Sequence, residues 1–398
     1  MSWRSVAGTS CHCHNTKSTQ THEGKSLELR VAVAMNSMER TDGISSVPRT
    51  KHLDIFVDEK ELRNGIEALL REVRPLWDPT EVKLKNFTSG ITNKLVGCYL
   101  DQDMEEIVLI RIYGKMTEHF VDRDNEVKNF QILHAHHRAP ELYCTFQNGM
   151  CYKFMKGTCL DTRLVRNPSI FRLVAKEMAL FHSVRPDNVY SSEPILWKNL
   201  SMFLRLLNSS QPELTADVSS MEMNDVPSLD ILKSEIEVLK EHLSHIKSPV
   251  VLCHNDLLCN NIIYNEAKGD VKFIDYEYAG YNYQAYDIGS HFNEFAGLSE
   301  LDFSLCPTQE MQFEWLKSYL EVSKEFSSSE PEVTELEVQK LYVQVNKFSL
   351  ASHIFWGLWG ILQSRYSTID FDFLRYARER LKQYFKMKDE MLALQLPH

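Results

Sequence analysis

The sequence predicts an α+β protein of two unequal lobes: a small, antiparallel β-rich N-terminal lobe with one helix packed into it, and a large, mainly helical C-terminal lobe. Three observations lead there. β-branched runs separated by short polar segments crowd the stretch from 93 to 155. Apolar stripes at three- and four-residue spacing dominate from 169 onward. Only two strand-like runs interrupt those helices, and between them lies a dense polar cluster.

Residues 1–50 are rich in Ser and Thr with few large apolar side chains, the composition of a flexible tail. Its "CHCH", Cys11 to His14, lacks the spacing of a structural zinc site. Arg4 and Lys17 precede the first acidic residue, Glu23, as in a transit peptide, but without amphipathic periodicity, and Met35 and Met38 are alternative starts. Folding is expected from about residue 51, where 58–73 sets Leu62, Ile66, Leu69, Leu70 and Val73 on one helical face before Pro75 stops it. "NKLVGCYL" (93–100) and "EEIVLIRIYG" (105–114), joined by "DQDM", read as an antiparallel hairpin. A helix over 122–136 follows, then a second hairpin over 143–155 turning at Gln147 to Gly149. This places one lobe at 51–155 and the other at 156–398.

In the larger lobe, 169–184, 229–246 and most of 309–386 read as helices, and Leu232, Ile236, Leu239, Leu243 and Ile246 form a regular stripe. "PVVLC" (249–253) and "DVKFIDYEY" (270–278) read as strands, and 209–228 as an exposed loop. The chain shows no internal repeat.

Composition narrows the function. A net charge of −11 over 398 residues argues against nucleic-acid binding and points to a small-molecule partner. Nine cysteines without a CxxC pair fit a reducing compartment, the cytoplasm. No run reaches the ~20 apolar residues of a membrane span. The nearest, Leu350 to Leu362, carries Ser352 and His353 and reads as a buried helix. No pattern specifies an oligomeric state, and a homo-oligomer is left open.

The polar cluster is "VLCHNDLLCNNIIYN", 251–265. A strand ending in His254-x-Asp256, with Asn261 five residues further and a second strand ending in Asp275, gathers three oxygen-bearing side chains at one cleft. Phosphoryl transfer needs such a set: one carboxylate to orient the attacking hydroxyl, and hard oxygen ligands, here Asn261 and Asp275, to hold Mg²⁺. Taken singly, each residue fits a turn or a cap equally well. The joint pattern favours a phosphotransferase.

"CHNDLLCNNIIYN" (253–265) and "FIDYEYAGYNYQAYDIGSHFNEF" (273–295) resemble the catalytic loop and following motif of the choline/ethanolamine kinase family, which shares the protein-kinase-like fold with aminoglycoside phosphotransferases. The similarity runs from about residue 53 to the C-terminus. It implies ATP as co-substrate and Mg²⁺ as cofactor, with Asp256 the catalytic base and Asn261 and Asp275 the metal ligands, the roles the chemistry also suggests. His254 and Asp287 would support the loop. "NFTSGITNKL" (86–95), by itself as readily a plain hairpin turn, would cover ATP through Ser89, Gly90, Thr92 and Asn93. Arg111 would contact phosphate with Glu126 as its ion-pair partner, although two unrelated surface charges fit the same spacing. "CYKFM" (151–155) would be the hinge, with Lys153 and Met155 at the adenine. There is no G-x-G-x-x-G, V-A-I-K, D-F-G or A-P-E, which argues against a protein substrate.

An amino-alcohol acceptor carries an ammonium, so its pocket should offer negative charge and aromatic faces. The resemblance assigns the charge to Glu294. Trp356 and Trp359, three apart on one helix, fit an aromatic wall and equally an ordinary core stripe until the resemblance is added; it also brings in Phe371 and Tyr376. After Glu294 the chain continues "FAGLSELD", without the tyrosine-rich stretch of choline kinases, which favours a smaller, more polar pocket and ethanolamine. The expectation is therefore phosphorylation of ethanolamine to phosphoethanolamine, the first step of the ethanolamine branch of phosphatidylethanolamine synthesis. The alternatives are a choline or dual-specificity kinase, and a catalytically silent scaffold, against which the retained Asp256, Asn261 and Asp275 argue.

Overall fold

A computed structural model describes residues 50–87, 93–100, 106–114, 121–185, 193–209, 226–326, 332–367 and 369–397. The expected tail, the loop holding Ser89, Gly90 and Thr92, the "DQDM" connection and most of 209–228 lie outside the described residues.

The smaller lobe is a six-stranded sheet in the order β1-β5-β6-β4-β3-β2, from β1 (Lys51–Leu53), β2 (Lys83–Phe87), β3 (Asn93–Tyr99), β4 (Val108–Tyr113), β5 (Leu142–Phe146) and β6 (Gly149–Lys153). Only β1 runs parallel to its neighbour, β5. Both expected hairpins are present as β3-β4 and β5-β6. The two strands at the edges were not foreseen, because "KHL" and "KLKNF" are short, lysine-bearing and mostly exposed.

Two helices accompany this sheet, where one was expected to pack into it. α1 (Leu62–Val73) starts four residues later than its apolar spacing suggests, because the Asp58 side chain accepts from the Lys60 N–H (2.8 Å) and forms a local turn instead. Its Ile66, Leu69 and Leu70 close a core with Val96, Val108, Ile110 and Ile112. α2 (Arg123–Ala135) is capped by Asp122, and its Phe130, Ile132 and Leu133 join the core of the helical lobe. Strand alternation in β4 thus sends Val108, Ile110 and Ile112 towards α1 and turns Arg111 to the other face. At the head of β6, a Cβ on Gly149 would lie 2.1 Å from the Arg111 carbonyl oxygen, so only glycine lets the two strands approach there.

The larger lobe contains α3 (Pro168–His182), α4 (Ile195–Ser209), α5 (Leu229–Ser244), α6 (Gln284–Asn293), α7 (Gln309–Glu325), α8 (Glu335–Tyr366) and α9 (Phe373–Ala393). Short strands form two small sheets, β10 (Asp270–Phe273), β9 (Ile262–Asn265) and β7 (Thr158–Cys159), and β11 (Gly280–Tyr283) with β8 (Val250–Cys253). The strand expected over 270–278 ends at Phe273, since Ile274 donates to the Asn261 carbonyl (2.9 Å) and Asp275 turns into the left-handed region, φ 68°.

α8 is the axis of this lobe. Every residue from Val345 to Gln363 is buried, so "LASHIFWGLWGIL" is a core helix. α6, not foreseen, is buried throughout from Ala285 to Asn293, and at 10 residues it is shorter than the windows in which a helical period is read. α4 was also missed, although Leu196, Leu200, Phe203 and Leu207 make a stripe like that of α5. No helix among the described residues is long and apolar enough to cross a membrane.

Candidate active site

The site begins with a turn that needs help to exist. After β8 the chain must leave the sheet at His254 and Asn255, and Asn255 adopts φ 64°, which costs a non-glycine residue about 1 kcal/mol or more. Asp287, in the first turn of α6, holds it by accepting from the His254 N–H (2.9 Å) and the Asn255 N–H (2.7 Å). The Asn255 side chain donates to the Tyr278 carbonyl (2.9 Å) and accepts from Asn282 (2.8 Å). Asp287 is itself paired to His182 Nε2 (2.8 Å), whose Nδ1 meets the Tyr319 hydroxyl (2.8 Å). Both His182 nitrogens are thereby engaged, so the His182, Cys253 and Asp287 group is a brace rather than a metal site. His254 lies close by, with Nε2 2.9 Å from the Ile274 carbonyl. Burial keeps its pKa below the ordinary histidine value, so the neutral ring donates from Nε2 and ties the catalytic turn to the turn that carries Asp275.

Held in this way, Asp256 is buried at the end of the turn. Asn261 comes from the 3₁₀ turn Cys259–Asn261 and donates its Nδ2 to the Asp256 carbonyl oxygen (2.8 Å), which fixes the orientation of its side-chain amide. Asp275 pairs with Arg111 Nη1 at 2.8 Å. Burial pushes the pKa of Asp256 well up, and Asp275, Glu294 and Glu277 push it the same way. Asp275 is raised to about 6, burial outweighing the help of Arg111.

Arg111 is the hub of this region. Nη1 also meets Glu126 (2.9 Å), and Nη2 meets Glu277 (2.7 Å). Arg123 reaches Glu126 (2.7 Å) and Glu277 (3.1 Å) while lying over the Tyr113 ring, 4.0 Å from its centroid. Asn93 donates to Glu277 (3.1 Å), so of the residues expected to cover nucleotide, the described one belongs to the same cluster. The carboxylate oxygens of Glu126, Asp275 and Glu277 lie within 4.8 Å of one another, an arrangement that could hold a cation. Glu126 and Glu277 are occupied by guanidinium groups, which leaves Asp275, whose side chain is 28% exposed, as the member with spare capacity.

In the expected hinge, the N–H groups of Lys153 and Phe154 are already engaged, by the Glu141 carbonyl (2.9 Å) and the Ile107 carbonyl (3.2 Å). Lys153 therefore has its N–H engaged within the smaller lobe. Its exposed side chain lines a 460 Å³ cavity with Arg138, Met155, Ile263 and Lys272.

On the other side of Asp256, Glu294 follows α6 and is ion-paired by one oxygen to Arg380 of α9. Trp356 and Trp359 meet edge to face, centroids 5.4 Å apart. Trp359 donates to the Tyr278 hydroxyl (2.9 Å), Trp356 to Ser290 Oγ (3.4 Å). Tyr376 stands 6.2 Å from Trp359 and 5.9 Å from Phe371, ring to ring. The four expected aromatics thus form one connected group. Two cavities adjoin it: one of 590 Å³ against Glu294, Asp161 and Asn260, and one of 430 Å³ against Phe371 and Tyr376; both are bounded by Leu298, Ser299, Leu301 and Arg375.

Residues 84–385 match the choline/ethanolamine kinase family. The chain belongs to that family. It is 53% identical over 353 residues to human ethanolamine kinase 1, covering 88% of this chain and 78% of that one. A solved Plasmodium vivax ethanolamine kinase superposes with a TM-score of 0.72 at 29% identity, covering 83% and 89% of the two chains. An ADP-bound aminoglycoside phosphotransferase, at TM-score 0.51 and 15% identity over 83% and 98%, shares the fold alone. The architecture is therefore the two-lobed protein-kinase-like one expected.

Four residues of this choline/ethanolamine kinase family site were not singled out from sequence. Glu277 and Tyr278 lie within three positions of Asp275, and the density of acidic and aromatic residues in "DYEY" is a usable signal. Arg123 follows Glu126 by helical i,i+3 pairing. Arg380, far along α9, has no local signal.

Proposed function

We propose that the protein transfers the γ-phosphoryl group of ATP to the hydroxyl of ethanolamine, giving phosphoethanolamine and ADP, the first step of the ethanolamine branch of phosphatidylethanolamine synthesis. Similarity to human ethanolamine kinase 1 supports the substrate. The observation that carries the reading is the position of Asp256: a buried carboxylate electrostatically coupled to Asp275 on one side and Glu294 on the other. Five carboxylates, Glu126, Asp256, Asp275, Glu277 and Glu294, face three guanidinium groups, Arg111, Arg123 and Arg380. Such a surplus favours cationic ligands, as an ammonium and a divalent metal would be.

In this reading residues 51–155 bind nucleotide and 156–398 hold the catalytic turn and acceptor. Asp256 orients the hydroxyl and takes its proton as the oxygen attacks phosphorus and the bond to ADP breaks. Its raised pKa makes it a stronger base than a solvent-exposed aspartate. Asn261 and Asp275 fit Mg²⁺ through hard oxygen ligands: the Asn261 nitrogen is turned to the Asp256 carbonyl, leaving its oxygen as the available end, and Asp275 has spare capacity. When bound, the metal supplies charge neutralisation on the phosphate oxygens. Both terminal nitrogens of Arg111 are engaged, so a phosphate reaches Arg111 by displacing Asp275. Ser89 and Met155 complete the nucleotide contacts. The ammonium is taken between Glu294 and the ring group of Trp356, Trp359, Phe371 and Tyr376. Among the described residues seven cysteines are free, five of them buried, which supports a cytoplasmic setting.

The test is ADP release by the purified protein with Mg-ATP and ethanolamine, choline or no acceptor. Strong stimulation by ethanolamine is expected. Acceptor-independent turnover, or none, would reject the assignment, and a preference for choline would reject the substrate.

A further inference from the structure

The acceptor side contains an arrangement that the reaction alone does not require. Arg380 is fully buried, with its guanidinium 5.1 Å from the Tyr376 ring centroid, and its single ionic partner is Glu294 Oε1, engaged through Nη2. Glu294 Oε2, Arg380 Nε and Nη1, and both ring nitrogens of His353 are buried without a hydrogen-bond partner. Buried polar atoms are nearly always paired, and five orphans in one neighbourhood mark a place built for something else to complete. A buried guanidinium is also a poor way to gain stability, since apolar side chains of similar volume usually do as well or better.

We propose that Arg380 is a specificity-determining positioning residue: by holding Glu294 Oε1 it turns the carboxylate into a directional acceptor whose Oε2 receives an N–H of a primary ammonium. The proposal rests on the ethanolamine reading above. An unpaired glutamate in an aromatic pocket attracts any organic cation by charge. Paired to Arg380, its net charge is locally cancelled and hydrogen-bonding capacity remains, concentrated on the one open oxygen. A primary ammonium has three N–H groups with which to use it, whereas a trimethylammonium has none. A site built to hydrogen-bond its ligand rejects an analogue that lacks the donor far better than a site selecting by shape.

The surroundings agree. His353, on α8, is kept neutral by burial and by the nearby Arg380 charge, so it does not compete as a cation. Cys259 donates to the Glu294 backbone carbonyl (3.5 Å) and leaves the carboxylate alone. Asp256 is near enough to Glu294 for the two carboxylates to act on one another, so an ammonium at Glu294 also lies in the field of Asp256. Glu294 also borders the 590 Å³ cavity.

The experiment is steady-state kinetics with ethanolamine and choline on the wild type, Arg380→Met, Arg380→Lys, Glu294→Gln and the Glu294→Gln/Arg380→Met double variant. Arg380→Met is expected to raise the ethanolamine KM about 3- to 10-fold, the worth of the directed hydrogen bond that is lost while the unpaired carboxylate keeps its charge attraction for any cation. The KM for Mg-ATP should stay within about twofold, and the ethanolamine-to-choline preference should narrow, because only the donor-bearing substrate loses a bond. Arg380→Lys should recover part of the loss. In the Glu294→Gln background the Met substitution should add nothing, because Arg380 acts through that carboxylate. An unchanged ethanolamine KM in Arg380→Met, or effects that simply add in the double variant, would overturn the proposal. If Arg380→Met does not fold, Arg380→Lys decides: a raised ethanolamine KM with a narrowed preference supports it, and wild-type values for both reject it. A wild-type protein that does not turn over ethanolamine would instead sink the functional reading itself, before any variant is compared.

Discussion

Two buried guanidinium groups, those of Arg111 and Arg380, are partnered in opposite ways. Arg111 meets three carboxylates, of Glu126, Asp275 and Glu277, through both terminal nitrogens. Among the described residues Arg380 has one carboxylate partner, Glu294, beside the Tyr376 ring, and two nitrogens without a hydrogen bond. The first region is closed in the sense that its charges satisfy one another, three carboxylates against the guanidinium groups of Arg111 and Arg123. The second is open in the sense that Glu294 Oε2 and two Arg380 nitrogens keep hydrogen-bonding capacity unspent among the described residues. A nucleotide carries its charge on several oxygens and suits a site with a fixed cation. A small ammonium has little surface to grip and suits a site with one directed acceptor.

The largest expected effect breaks the link between the two regions. Asp256→Ala should lower kcat by about 10²- to 10⁴-fold, the usual contribution of a general base. Thermal stabilisation by Mg-ATP should persist, since Arg111, Asp275 and Asn261 are untouched. Wild-type turnover in this variant would remove Asp256 from the mechanism. Because its pKa is raised, the acid limb of kcat/KM in the wild type should lie above the ordinary carboxylate range, activity falling as pH drops and the base is protonated.

Asp275 tests the closed region with an effect of intermediate size and opposite sign on stability. Its folded-state pKa of about 6 is above the unfolded value, so the ionised group weakens the ligand-free fold. The penalty is absent below the unfolded pKa, near 4, and grows as pH rises through about 6. Asp275→Asn should therefore raise the ligand-free Tm at pH 7, by an amount on the order of 1–3 kcal/mol or about 2–6 °C, and by less at pH 5. Asn tolerates the positive φ at this position, and Arg111 keeps two carboxylates. The same variant should lose stabilisation by Mg-ATP. A lower Tm at pH 7 would show that the ion pair to Arg111 outweighs the crowding of acids.

The asymmetry also explains what could be read from the sequence. Asp256, Asn261 and Asp275 were legible because their spacing is local, set by one turn and two adjacent short strands. The hairpins were legible because β-branched runs stand between short polar turns, and the Leu232 to Ile246 stripe because its helix has one wet and one dry face. α6 was not, because its 10 residues are too few to establish a helical period. The Glu294–Arg380 pair joins positions 86 residues apart, and a lone arginine on a charged C-terminal helix reads as surface until the fold buries it. The hinge shows a third kind of gap. Whether the Lys153 N–H is free depends on Glu141, a pairing that no local pattern encodes.

The smallest expected effect separates ring from hydrogen bond within the open region. Trp359 and Trp356 are similarly buried and meet edge to face, yet Trp359 donates to the Tyr278 hydroxyl at 2.9 Å whereas Trp356 reaches Ser290 Oγ only at 3.4 Å. Trp359→Phe should leave the buried Tyr278 hydroxyl without its donor and raise the ethanolamine KM about 3- to 10-fold, the worth of one neutral hydrogen bond. Its kcat should hold, because Asp256 and its braces are not touched. Trp356→Phe should change KM less, since the bond it removes is long and weak. If the two substitutions cost the same, ring area against the ammonium governs affinity and the Tyr278 bond is incidental. If Trp359→Phe alone raises KM, Tyr278 is held in place for the acceptor, and the open region is ordered by hydrogen bonds on both of its walls.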